Sequence, residues 1–187
     1  AAIDTYKAAI NAAPTNIENY LKLARLQIYS NQLAEAQVNS ENAILLDNTR
    51  SDAFALLAWS KGFQKKYLEA EVDARKAIEL DTNNALGHAI YAYLLGLRTE
   101  AGLDELDTID KAIEESRTAL ALDPNLMEAH WARGYVLEIT SNYAEAAAQL
   151  EEAIQINPNI SDIHIALGRN YMTLGELDQA VFEFTKA

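Results

Sequence analysis

No cysteine occurs among the 187 residues, which removes disulfide bonds and thiolate zinc sites from consideration. That absence leaves the redox compartment open, with the cytoplasm as the working expectation. Proline and glycine are scarce, at three and seven residues, and such scarcity favours long helices over many short strands. The few glycines never gather into a run that would cradle phosphate. Positive charge is also short: 15 Lys and Arg stand against 28 Asp and Glu, a formal net charge of -13. A nucleic-acid binder neutralises phosphates with clustered basic residues, so no nucleic-acid partner is expected. Adsorption to anionic membrane surfaces is disfavoured by the same sign of charge. No apolar run approaches the roughly 20 residues of a membrane span, so membrane insertion is not expected, and no signal peptide opens the chain. The first residue is Ala rather than Met, so the expectation is a processed or excised piece.

What is present is repetition. Ala-Ile-Gln-Ile-Asn-Pro at 153–158 echoes Ala-Leu-Ala-Leu-Asp-Pro at 119–124, Ala-Ile-Glu-Leu-Asp-Thr at 77–82 and Ala-Ile-Leu-Leu-Asp-Asn at 43–48. Ala9 to Pro14 is a first, looser version. From Ala9 through Ala43, Ala77, Ala119 and Ala153 to Ala187 the spacings are 34, 34, 42, 34 and 34 residues. Within each period small residues recur at Ala24, Ala58, Ala92, Gly134 and Gly168. A second small series runs through Ala2, Ala36, Ala70, Ala112, Ala146 and Ala180. Helix backbones that approach to about 8–10 Å need small residues at the contact. Pro14, Pro124 and Pro158 stop helices, while Ser30-Asn31, Ser141-Asn142 and Gly175 mark tight turns.

A 34-residue period with small and large residues in this order resembles the tetratricopeptide repeat family, over essentially the whole chain. The resemblance implies an all-α fold, a right-handed α-solenoid of stacked antiparallel helix pairs, each pair a helix A followed by a helix B. A single solenoid over 1–187 is expected: a lone helix B at 1–13, then repeats at 17–50, 51–84, 85–126, 127–160 and 161–187. Asn48 and Thr82 replace the family's proline, and Lys61 and Arg133 occupy places usually apolar or aromatic. The third repeat carries eight extra residues, about two helical turns, so each helix could gain one turn around a reversal at Ala101-Gly102. Glu100, Asp104, Glu105 and Asp107 would make that insertion an acidic knuckle, or it is a tolerated insertion without function.

The family arrangement lines a concave groove with the A helices, and residues spaced i, i+3, i+7 share one stripe of each. The stripes read Glu18, Leu21, Arg25; then Asp52, Ala55, Trp59 with Phe63 a turn later; then Leu86, Ala89, Tyr93. They continue as Glu128, Trp131, Tyr135 and as Asp162, Ile165, Arg169. The candidate partner-binding residues are therefore Leu21, Arg25, Trp59, Phe63, Tyr93, Trp131, Tyr135 and Arg169. Trp and Tyr carry much interface energy, and Arg grips a carboxylate with two hydrogen bonds. Such a groove suits an extended or helical peptide with an apolar anchor and a nearby acid. Alternatively, the rings fill gaps between adjacent repeats. A family class that clamps chaperone C-termini uses groove Lys, Asn and Arg, and this stripe holds no Lys and no Asn.

His88, His130 and His164 invite a metal, but each falls fourth in its repeat, where the family prefers a large aromatic, so a structural role is expected and no metal. No paired carboxylates, nucleophile elbow or phosphate loop appears, so neither catalysis nor a cofactor is expected. The leading expectation is a protein–protein interaction scaffold taking a peptide or protein in its groove. The alternatives are self-association into a homo-oligomer through exposed terminal helices, or the substrate-recognition arm of a larger enzyme. Glycosyltransferases with long tetratricopeptide superhelices exemplify the last, but their groove asparagine ladder has no counterpart in this stripe.

Overall fold

The computed structural model describes residues 2–103 and 107–187, and these form helices joined by turns, with no strand among them. In chain order the helices are α1 (Ala2–Ala12), α2 (Ile17–Tyr29), α3 (Leu33–Leu46), α4 (Ser51–Phe63) and α5 (Tyr67–Leu80). There follow α6 (Ala85–Glu100), α7 (Thr108–Leu122), α8 (Met127–Ile139), α9 (Tyr143–Ile156), α10 (Ser161–Leu174) and α11 (Leu177–Lys186). The chain divides into two compact units, Ala1–Gly87 and His88–Ala187. In the first, α2 packs on α3 and α4 on α5, with α1 on α2 and α3 on α4 joining the pairs. In the second, α8 packs on α9 and α10 on α11, with α7 on α8 and α9 on α10 doing the same. None of the helices is long and apolar enough to cross a membrane.

Each helix A ends in one residue of left-handed backbone. Asn31, Lys65, Ser141, Gly102 and Gly175 have φ of 55°, 63°, 63°, 68° and 82°. The next amide reaches back to a carbonyl five residues earlier: Gln32 to Gln27, Lys66 to Lys61, Leu103 to Arg98, Asn142 to Leu137 and Glu176 to Tyr171. Such a cap satisfies a carbonyl that the helix end would leave bare, and it reverses the chain within two residues. Gly and Asn enter this conformation at little cost; Lys65 and Ser141 do so against a Cβ clash.

The turn from helix B to the next helix A has a different device. The side chains of Asp47, Asp81, Asp123 and Asn157 accept from the backbone N–H two residues on, at 2.9, 2.9, 3.0 and 3.3 Å. These are Asx turns, made by the residue before the proline position. They account for Asn48 and Thr82: the turn is held by the preceding aspartate, so proline is dispensable there. Thr49 also donates its hydroxyl to Asp47 at 2.7 Å, and that bond first, with the Thr49 amide, holds the exposed carboxyl below its ordinary range.

The two series of small residues meet where helices cross. Ala24, Ala58 and Ala92, and Ala36, Ala43, Ala70, Ala77, Ala112, Ala119, Ala146 and Ala153, are buried completely. At Gly134 even a methyl is too much, since a Cβ would stand 2.8 Å from Leu150 Cγ. The two departures at Lys61 and Arg133 are answered locally. Lys61 pairs with Asp73 at 2.7 Å with both side chains largely buried, and Arg133 donates to Ser116 Oγ at 3.3 Å. Burial raises the Asp73 carboxyl and the Lys61 bond lowers it, burial being the stronger. The third repeat absorbs its insertion unevenly. α6 has 16 residues where α2, α4 and α8 have 13, close to one added turn, but α7 gains only one residue over the 14 of α3, α5 and α9. The rest of the insertion falls between Glu100 and Thr108, where residues 104–106 lie outside the described residues. Of the expected acidic knuckle, Asp104 and Glu105 lie outside the described residues, Glu100 closes α6, and Asp107 precedes α7 with φ 74°.

Lys65→Gly is expected to raise the unfolding free energy by about 0.5–1 kcal/mol, because it removes the left-handed clash at a modest entropic cost. Asn31→Gly should change little. Urea melts of the two variants check this, and a Lys65→Gly midpoint at or below the parent's would contradict it.

Candidate functional site

In the first unit the helix A faces of α2 and α4 enclose a small cleft of about 180 Å³, lined among others by Leu21, Arg25, Asp52 and Leu56. Leu21 is buried and Arg25 is half-buried at its rim. Arg50, just before α4, binds Glu18 at 2.8 Å and Asp52 at 2.7 Å, which ties the two acids of the expected stripe together. The Asp52 hydrogen bond, with Glu18 adding, pushes the Arg50 pKa further up. Arg50 was not among the expected residues because it stands in the turn, outside any helical stripe. Trp59 is only 2% exposed. Its ring meets Tyr29 edge-on at 5.6 Å between centroids and Phe63 at 6.1 Å, and Phe63 is half-buried.

In the second unit α6, α8 and α10 bring together Tyr93, Trp131, Tyr135 and Arg169. The Tyr93 ring lies 5.5 Å from Trp131 and 4.6 Å from Tyr135, centroid to centroid. Gly96 makes room for this stack, since a Cβ there would stand 2.7 Å from the Tyr135 ring. Trp131 and Tyr135 are each 5% exposed and form the base, while Tyr93 is half-buried above them. Arg169, half-exposed, pairs with Glu138 at 3.1 Å. Asn170 Nδ2 donates to the other Glu138 oxygen at 3.1 Å and to the Ala166 carbonyl at 2.8 Å. Burial pushes the Tyr93 phenol up, Asp162, Glu100 and Glu138 add to this, and Arg169 opposes it. Burial also raises Tyr135, and Glu100 contributes next. Glu100 is thus close to the Tyr135 hydroxyl, which nevertheless makes no hydrogen bond of good geometry.

Glu138, Asn170 and Gly96 were not expected. Glu138 lies three residues past Tyr135 and seven past Trp131, so the stripe extended by one turn reaches it. Asn170 stands one residue off the stripe beside Arg169, and no spacing rule marks it.

The histidines repeat one contact. His130 Nε2 meets the Pro124 carbonyl at 2.8 Å and His164 Nε2 the Pro158 carbonyl at 3.0 Å. Tyr20 donates its hydroxyl to the Pro14 carbonyl at 3.0 Å across the same six-residue step. The other ring nitrogen turns to helix B: His130 Nδ1 to Gln149 at 3.0 Å, His164 Nδ1 to Glu183 at 2.6 Å, and His88 Nδ1 to Glu115 at 2.5 Å. These bonds brace each hairpin against the turn before it. Among the described residues no three His, Asp or Glu gather in a metal-binding arrangement.

Tyr135→Phe removes a buried hydroxyl that lacks a partner, so it is expected to leave stability unchanged or raise it by up to about 1 kcal/mol. Tyr171, which donates to Glu151, provides the contrast: Tyr171→Phe should cost about 1 kcal/mol. Thermal melts of both variants decide, and equal losses would mean that Tyr135 is bonded.

Residues 140–186 match the tetratricopeptide repeat family model. No curated protein matches the chain in sequence. The fold is similar to that of a thermophilic tetratricopeptide repeat protein from Thermus thermophilus, with a TM-score of 0.75 at 19% identity over 91% of this chain and 89% of that one. YrrB, a tetratricopeptide repeat protein with an unusual peptide-binding site, gives 0.52 at 19% identity over 99% and 91%. The PilF protein of Pseudomonas aeruginosa gives 0.58 at 20% identity over 91% and 74%. At these identities the likeness is one of fold. Residues 140–186 thus carry a tetratricopeptide repeat, and the chain has the fold of the tetratricopeptide repeat proteins, generally non-enzymatic scaffolds for protein–protein interaction.

Proposed function

We propose that this chain recruits a peptide or protein partner on its helix A faces. In the first unit the partner would meet Leu21 and Arg25 in the cleft and Phe63 over buried Trp59. In the second it would meet Tyr93 and Arg169 over the base of Trp131 and Tyr135. The observation that carries this reading is the stack in the second unit, where a half-buried Tyr93 stands on two almost fully buried aromatic rings. An aromatic held this firmly loses little entropy when a partner covers it, as interface anchors require. The buried rings act through packing, and the accessible contacts fall to Arg25, Phe63, Tyr93 and Arg169. The Arg25 cleft suits an apolar side chain with a neighbouring acid.

A displayed random-peptide library selected on the full chain tests this. Selected peptides should lose about tenfold or more in affinity to Arg25→Glu or to Tyr93→Ala, each first shown to be folded by circular dichroism. Peptides indifferent to both changes but lost with Val72→Glu, on an exposed helix B position, would place binding elsewhere and sink the reading.

One observation favours a second reading, self-association between copies. In α9, which packs on both α8 and α10, Ala147 is buried and Leu150, against Gly134 of α8, is fully covered. One period later in α11, Val181 is 62% and Phe184 41% exposed. This surface has the pattern that a helix A covers elsewhere in the unit, and a second copy supplies helices of that pattern. Sedimentation velocity over a concentration series should show association that Val181→Glu abolishes; a concentration-independent monomer would exclude it.

A further inference from the structure

We infer that the helix A face of the second unit receives a cationic side chain of the partner, arginine or lysine, against Tyr93 and among Glu100, Glu138 and Asp162. This rests on the reading of the chain as a binding module and adds the chemistry of what that face binds.

Hydrogen bonding is the first argument. Asn170 is 1% exposed, and its orientation is settled, because Nδ2 donates to two acceptors, Glu138 and the Ala166 carbonyl. Its Oδ1 is therefore a buried acceptor, and it has no donor. The Tyr135 hydroxyl, likewise buried, also lacks a partner. Leaving such groups unpaired is unfavourable, and a donor-bearing ligand would relieve it.

Charge is the second. Three carboxylates, Glu100, Glu138 and Asp162, act on Tyr93 against one guanidinium, Arg169. Arg169 and Asn170 already occupy Glu138. Glu100 and Asp162 are exposed and form no salt bridge among the described residues. An anionic side chain would be repelled here, and an apolar one would leave Asn170 Oδ1 and the Tyr135 hydroxyl dry. A neutral amide could donate but would not answer the charge. A cation does both, and the accessible face of Tyr93 offers it a further cation–π contact.

The repeats supply a third argument, since the first unit answers the same acid internally. Asp52 and Asp162 hold the same place in their repeats, second in α4 and second in α10. Arg50, two residues before Asp52, binds it at 2.7 Å; two residues before Asp162 stands Ile160, which is buried. One repeat thus carries its own guanidinium and the other lacks it, so an incoming cation would take the part that Arg50 plays in the first unit.

The two tryptophans, one in each unit, allow a direct test by NMR on the full chain. Nα-acetyl-arginine amide should shift the Trp131 indole saturably and leave Trp59 in place, while the citrulline counterpart shifts neither. Glu100→Gln/Asp162→Asn, at two exposed positions, should weaken binding about fivefold and flatten its salt dependence. Tyr93→Leu should weaken it about two- to fivefold. A still Trp131 indole, an equal response to citrulline, or undiminished binding by the double variant would each overturn the inference. The library-selected peptides separate this failure from that of the module reading. Peptides that need Tyr93 but bind the double variant unchanged leave the module standing and refute the cation; peptides that ignore both helix A faces refute the module itself.

Discussion

The structure depends on helix backbones being allowed to approach where Ala and Gly recur. Ala24 against the α3 series, Ala58 against that of α5 and Gly134 against Leu150 set how near a helix A lies to its helix B. Interiors are packed densely enough that one added methylene at such a contact is felt, typically as about 1–3 kcal/mol. With the small residues fixing the crossing, the larger ones are directed outward from it in a set pattern. The stack of Tyr93 on Tyr135 is a case in point, because Gly96 brings that ring onto the α6 backbone. Placement of the candidate site is in this sense a consequence of where side chains are missing.

Between the crossings the chain solves two turn problems by two different means, and only one of them uses special residues. Left-handed caps favour Gly or Asn, yet Lys65 and Ser141 adopt the same backbone because the five-back hydrogen bond and the packing of both helices enforce it. The Asx turns use an acid or amide that precedes the proline position. Proline can therefore be lost at Asn48 and Thr82 without disturbing the register. The histidines belong to the same economy of local bracing. All three stand where Tyr20 stands in the first repeat, and His130 and His164 bind the carbonyl six residues back as Tyr20 does, a structural reason for their periodicity.

Much of this was legible in the sequence because it is periodic. The alanine ladder marked the crossings, Gly175 and Asn31 marked turns, and a stripe at i, i+3, i+7 brought Tyr93, Trp131 and Tyr135 to one place. Depth was not legible. A stripe records which residues share a helix face, but whether Trp59 and Trp131 are open or covered depends on nearby rings, Tyr29 of α2 and Phe63 of the same helix for one and Tyr93 of α6 for the other. Arg50 was invisible for a related reason: it acts on two helices from a turn, where no helical period applies. Asn170 lies beside the stripe and matters through a hydrogen bond to Glu138, an interaction that spacing alone does not encode.

Repeats that share a backbone but differ in charge offer an internal comparison that a single globular domain lacks. The period makes Asp52 and Asp162 equivalent in place, so the difference between Arg50 and Ile160 is a difference in what each acid is left to do. In the first unit the carboxylate is engaged within the chain, and the neighbouring cleft presents Arg25 and an apolar wall. In the second the carboxylate of Asp162 remains exposed, as that of Glu100 does, and both act on Tyr93. Repeats built on one hairpin thereby present faces that differ in charge. That asymmetry arises from substitutions that leave the alanine contacts untouched, so binding chemistry can vary along the chain while the packing that supports it stays constant.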